Sequence, residues 1–149
     1  MRVVGIDLGD KRVGVAVSDS ERTVAVPVDV FVRGGNQHQD MKRLAKVIHE
    51  HEPKIVVVGT PLLLSGGSSK QTLRVNSEAK MLSKLLDAEV QLWDERYSSR
   101  QAERQLREIG HSSKSMRKIA DAQAACIILQ SWIDANVTRS ADESNGQRL

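Results

Sequence analysis

A chain of 149 residues with 40% hydrophobic content holds enough apolar surface for one globular domain and too few residues for two of ordinary size. Its 22 lysines and arginines against 19 aspartates and glutamates leave a formal net charge of +3 and a sequence pI near 9.2, which suits a polyanionic partner without demanding one. A lone cysteine, Cys126, excludes an internal disulfide, and neither a signal-peptide run nor an apolar stretch near the ~18 residues that span a bilayer occurs, so a cytoplasmic protein with no membrane partner is expected.

The run Val3-Val4-Gly5-Ile6-Asp7-Leu8-Gly9 reads as a strand that carries one carboxylate, Asp7, out of an apolar segment and stops at a glycine. Val13 to Ser18 alternates valine with glycine, alanine and serine, and the link Gly9 to Arg12 is short enough for a hairpin. A third strand, Val24 to Phe31, contains Pro27, which cannot donate to a ladder, so it belongs at a sheet edge. Met41, Leu44, Ala45 and Ile48 recur at helical spacing until Pro53, and Ile55-Val56-Val57-Val58 then predicts a central parallel strand, apolar on both faces. A flexible loop, Ser65 to Ser69, leads to a second helix with Val75, Ala79, Leu82 and Leu86 on one stripe, and Val90 to Asp94 makes a fifth strand. Ser98 with Gln101 resembles a capping box for a helix closed by Gly110. The last helix is expected from about Ser113 to about Ala135, with Ala125, Ile128 and Trp132 inward. The polar stretch 136–149 is expected to be a flexible tail, which leaves a single domain over 1–135. The order describes an α/β domain with a mixed five-stranded sheet, an antiparallel three-strand meander followed by parallel strands, and helices on both faces.

Three acids remote in sequence fall where this topology brings them together: Asp7 at the end of the first strand, Asp94 or Glu95 at the end of the fifth, and Asp121 on the last helix. Asp121 precedes Ala125, Ile128 and Trp132 by four, seven and eleven residues, so it shares their inward stripe, where an unpartnered carboxylate is costly. An ion pair with Lys114, Arg117 or Lys118 accounts for it as well as a metal ligand does. Carboxylates gathered on a hard divalent ion resolve their own repulsion and leave positions open for phosphate oxygens. Two such ions, Mg2+ or Mn2+, activate water and stabilise the leaving oxygen of a phosphodiester. Arg12, Arg96, Lys114 and Lys118 lie beside these acids as candidates to hold a substrate backbone, although each alone reads as a solvated surface charge.

Gly5-Ile6-Asp7-Leu8-Gly9 with Val13-Gly14-Val15-Ala16, Gly59-Thr60-Pro61, Asp94-Glu95-Arg96 with Ser98-Ser99, and Asp121 with Ala124-Ala125 and Ile128-Leu129 together resemble the bacterial Holliday junction resolvase family of the YqgF/RuvX type, over roughly residues 2 to 133. The resemblance implies an RNase H-like fold and a metal-dependent nuclease, a hydrolase acting on ester bonds, that trims the 5′ end of the 16S ribosomal RNA precursor or cleaves four-way DNA junctions. Carried over by position, the catalytic and metal-binding acids are Asp7, Glu95 and Asp121, with Asp94 as second choice for the middle one. The loop Leu62-Leu63-Leu64-Ser65 departs from the polar residues usual in the family after the Gly-x-Pro.

Other signals carry less. The stretch Gly66 to Lys70 lacks phosphate-loop spacing, His49 and His51 diverge on their helix end, and Cys126 reads as a small buried hydrophobe. Gly5 to Gly9 also looks like the first phosphate loop of the actin, Hsp70 and sugar-kinase group, which needs two such domains. The readings that remain are a nuclease on structured nucleic acid, with precursor RNA ahead of four-way DNA, an ATP-binding protein, and a non-catalytic RNA-binding or ribosome-assembly factor. A monomer and a homodimer are equally compatible with them.

Overall fold

The β-branched runs of the sequence form the middle of a five-stranded sheet, because only strands covered on both faces can bury side chains pointing both ways. A computed structural model of the chain describes residues 1–19, 21–60, 69–94 and 122–136. In chain order the elements are β1 (Val3–Leu8), β2 (Arg12–Ser18), β3 (Ala25–Val32), α1 (Gln37–His49), β4 (Ile55–Thr60), α2 (Lys70–Leu85), β5 (Glu89–Asp94) and α3, residues 122–136. The sheet order is β3-β2-β1-β4-β5. The β1–β2 and β2–β3 pairs are antiparallel, whereas β1–β4 and β4–β5 are parallel. The expected meander, the central β4 and the edge position of the proline-bearing strand are all present. Pro27 pairs with Ala16 directly beside a register shift, where the ladder is already interrupted and a missing donor costs little.

Alternation splits the apolar side chains into two cores. Val4, Ile6 and Leu8 of β1 with Val56 and Val58 of β4 pack against Met41, Leu44 and Ile48 of α1 and Val75, Ala79 and Leu82 of α2. Val3, Ala16 and Val57 point the other way and meet Ala125, Ile128, Leu129 and Trp132 of α3. The helical stripes expected from spacing are therefore the buried ones. At Gly5 the approach of α3 is so close that a Cβ would lie 2.6 Å from Leu129 Cβ. Two reciprocal indole bonds lock α3 to β5: Trp93 Nε1 donates to Ser131 Oγ at 3.1 Å and Trp132 Nε1 donates to Gln91 Oε1 at 3.0 Å. Cys126 is buried, and burial pushes its thiol up to about 12.

Ser69, the last residue of the expected loop, caps α2: its hydroxyl accepts the Thr72 N–H at 3.1 Å, because a serine three residues ahead of a free amide satisfies it locally. The helix expected from Ser98 to Gly110, residues 61–68, the expected start of the last helix at about Ser113 and residues 137–149 lie outside the described residues. No helix among the described residues is long and apolar enough to cross a membrane.

Candidate active site

The three parallel strands β1, β4 and β5 end together at Leu8, Thr60 and Asp94. Open edges of this kind collect ligands, because strand ends leave loops and unpaired groups around a shared crevice. Asp7, the penultimate residue of β1, has the parity of Val3 and Gly5, so its carboxylate is on the α3 side. Directly opposite it on β2 is Gly14, and the β1–β4 register, continued by one residue beyond Ile6 and Val58, brings Gly59 to its other flank. Neither neighbour has a side chain, and both glycines are buried.

Asp7 is half-buried and makes no hydrogen bond or ion pair with another described residue. Burial pushes its carboxyl above the ordinary 3.8, and the Arg74 guanidinium offsets part of that rise. A desolvated carboxylate without a described donor is a poor structural element and a good ligand for a hard cation, so its chemistry fits a divalent ion. Arg12, the first residue of β2, is exposed and has the parity of Gly14, which puts it on the Asp7 face two residues nearer the turn.

Asp94 is brought to the same edge but to the other face. Gln91 and Trp93 bond to α3 while Val90 packs with the α1 and α2 core, so alternation assigns Asp94, 8% exposed, to the α1 and α2 side. Glu95, Arg96, Lys114, Lys118 and Asp121 lie outside the described residues. The described helix α3 begins one residue after Asp121, with Ala125, Ile128, Leu129 and Trp132 buried as its spacing requires. Among the described residues no group of three or more His, Cys, Asp or Glu side chains is placed to hold a metal.

Sequence reasoning passed over Arg33, Arg74 and Glu78. Glu78, 0% exposed, accepts paired bonds from Arg33 Nη1 and Nη2 at 2.7 Å each and one from Arg74 Nη1 at 2.8 Å. Two signals pointed there: the Arg74 and Glu78 spacing of four, and a glutamate between Val75, Ala79 and Leu82 on an inward stripe.

A family model described as RuvX, Holliday junction resolvase, matches residues 1–135. A protein of Anaeromyxobacter dehalogenans (strain 2CP-C) named "Putative pre-16S rRNA nuclease" is 39% identical over 134 residues, covering 90% of this chain and 97% of that protein. A protein of the same name from Pelotomaculum thermopropionicum is 35% identical over 135 residues, 91% of this chain and 88% of its own. Among solved structures, RuvC of T. thermophilus in complex with a Holliday junction substrate superposes with a TM-score of 0.67 at 17% identity, covering 93% of this chain and 96% of that one. The fowlpox virus Holliday junction resolvase gives 0.57 at 12% identity, over 91% and 99%. The fold is therefore that of the RNase H-like resolvases, and the chain belongs to the RuvX Holliday junction resolvase family.

Proposed function

We propose that the protein is a divalent-metal-dependent endonuclease that hydrolyses phosphodiester bonds in the 5′-end processing of the 16S ribosomal RNA precursor. The observation that carries the reading is Asp7: a desolvated carboxylate without a described donor, flanked by Gly14 and Gly59, at the shared end of parallel strands in a chain of this family. Asp7, Glu95 and Asp121 would hold Mg2+ or Mn2+, in two positions. When bound, the ions supply an activated water and neutralise charge on the leaving oxygen. Glu95 is preferred to Asp94 as the middle acid because strand parity gives Asp94 to the opposite face.

The residues of the chain do the rest. Gly14 and Gly59 set no side chain of their own between Asp7 and a sugar-phosphate backbone. Arg12, on the same face, would orient that backbone from the turn side, and Arg96, Lys114 and Lys118 would contact further phosphates. Such groups read neither base nor sugar hydroxyl. The choice of precursor RNA therefore rests on the name shared by the curated relatives. The description of the family model favours a four-way DNA junction as the second substrate.

The test is cleavage of precursor RNA spanning the mature 5′ end, beside a four-way DNA junction, in Mg2+ and in Mn2+. The parent is expected to cut the RNA and Asp7→Asn to leave it intact. Equal cutting by both proteins would remove the mechanism. Tight, salt-sensitive binding without any metal-dependent product would make the protein a non-catalytic RNA-binding factor.

A further inference from the structure

The turn that follows Asp7 is gripped from the far side of the sheet. Arg74 on α2 donates through Nη2 to the Leu8 carbonyl at 2.9 Å and to Asp10 Oδ1 at 3.0 Å. Arg33, just past β3, donates through Nε to the Gly9 carbonyl at 2.8 Å. Both guanidiniums close on Glu78, and Gln37 Nε2 adds a bond to the same carboxylate at 3.3 Å. The acceptors on three successive residues after Asp7 are thus tied to one buried anion.

We infer that Arg33 and Arg74, locked by Glu78, are positioning residues for the Asp7 site: they fix the turn from Leu8 to Asp10 and with it the placement of Asp7 and Arg12, without touching substrate. The inference rests on Asp7 being the catalytic carboxylate. Stability alone is a weak reason for such a cluster, since a buried ion pair is commonly matched or bettered by well-packed apolar side chains. Carbonyls at a sheet end also lie where water bonds them readily. What a planar guanidinium adds over water is direction, because its donors are held in a rigid fork. A carboxylate that shares a metal ion needs that direction: loss of the groups behind a metal ligand typically costs 10- to 100-fold in affinity or activity. The turn beside Asp7 is the segment in which such slack would enter, and Gly9 leaves it little room of its own, its Cβ position being 2.6 Å from the Arg12 carbonyl oxygen.

Arg74→Lys keeps the charge and removes the fork, and Arg33→Lys does the same on the other arm. In the full chain, each is expected to lower kcat on precursor RNA about 10- to 100-fold with KM changed less than about twofold, and to weaken Mn2+ binding measured by calorimetry without substrate by a similar factor. Glu78→Gln should do the same if it folds. The two lysine variants carry the test if it does not, since the arginine side chains keep 11% and 23% exposure. A purely structural role predicts a lower melting temperature with kcat per folded molecule and Mn2+ affinity unchanged, and that result overturns the inference. If the parent cuts, Asp7→Asn does not, and Arg74→Lys matches the parent, positioning fails while the nuclease reading stands. If the parent does not cut but binds Mn2+, weaker binding by Arg74→Lys upholds positioning and equal binding refutes it. A parent that neither cuts nor binds Mn2+ removes both.

Discussion

Replacing Gly5 by alanine adds one methyl group to the surface on which α3 rests, and two effects of opposite sign then compete. In the unfolded chain, alanine has less freedom to lose than glycine, a gain of about 0.4–1 kcal/mol. In the fold, the new carbon meets Leu129 Cβ at 2.6 Å, the Ala125 carbonyl oxygen at 3.1 Å and Leu129 Cα at 3.3 Å. Carbons prefer about 3.5–4.0 Å, so α3 must retreat by roughly 1 Å. None of the three atoms belongs to the end of a flexible side chain, so the helix has to move as a body. Overpacking of this kind costs about 1–3 kcal/mol, which exceeds the entropic gain. A net loss of about 1–2 kcal/mol lowers the melting temperature by about 2–8 °C in a domain of this size, measurable by scanning calorimetry and by urea unfolding at constant m. Leu129→Ala should not rescue it, because alanine retains the offending Cβ. On the proposed reading, cleavage should fall as well, since α3 packs on the face of the sheet that carries Asp7. A Gly5→Ala protein that melts at or above the parent temperature would refute the packing argument.

Asp7→Asn should abolish metal-dependent cleavage and, in chelator, melt at or above the parent temperature. Burial raises the folded pKa, so Asp7 destabilises the fold progressively as pH rises above 3.8, and the variant's advantage should open across that range and persist to neutrality. Saturating Mn2+ should reverse the order by stabilising only the parent, and a thermal-shift titration in which both proteins respond alike would contradict this. Glu78→Gln should lose about 3 kcal/mol near neutrality. Burial alone would push the Glu78 carboxyl up, but Arg33 first, then Gln37 and Arg74, hold it below the usual 4.5. Its contribution is therefore present above that value and lost as pH falls through the folded pKa, so the gap between parent and variant should shrink in acid; a gap independent of pH would argue against it. Cys126 should resist thiol reagents at pH 8 in the folded protein and react on unfolding, as burial holds its thiol near 12; rapid native-state labelling would sink this.

The parts of the molecule legible in the sequence are those governed by periodicity. Met41, Leu44, Ala45 and Ile48 could only face a core, the unbroken Ile55 to Val58 run required cover on both sides, and Pro27 required an edge or a bulge and received both. Ser69 was read as loop because glycines and serines precede it, and its capping bond depends on where the backbone turns. The Arg33, Arg74 and Glu78 cluster was hidden for a different reason. Its cross-element ion pair, Arg33 with Glu78, joins residues 45 apart, and a pairing that local spacing cannot express becomes visible only when β3 and α2 are brought to the same end of the sheet. At the candidate site, Asp7 could be singled out because one acid interrupts an apolar strand, while the face that Asp94 takes needed the parity set by two indole bonds to α3.

The two faces of the sheet divide the labour around Asp7. On the α3 side little among the described residues stabilises the carboxylate: its cross-strand neighbour is a glycine, burial raises its pKa, and no described donor reaches it. On the α1 and α2 side the next three residues accept bonds from Arg33 and Arg74, two guanidiniums themselves paired with buried Glu78. A carboxylate left short of partners would ordinarily relax its backbone toward water, and the grip on Leu8, Gly9 and Asp10 is what resists that movement. The arrangement keeps stationary an acid that no described donor satisfies, which is the state in which it has most to gain from a cation and least reorganisation to undergo on binding one.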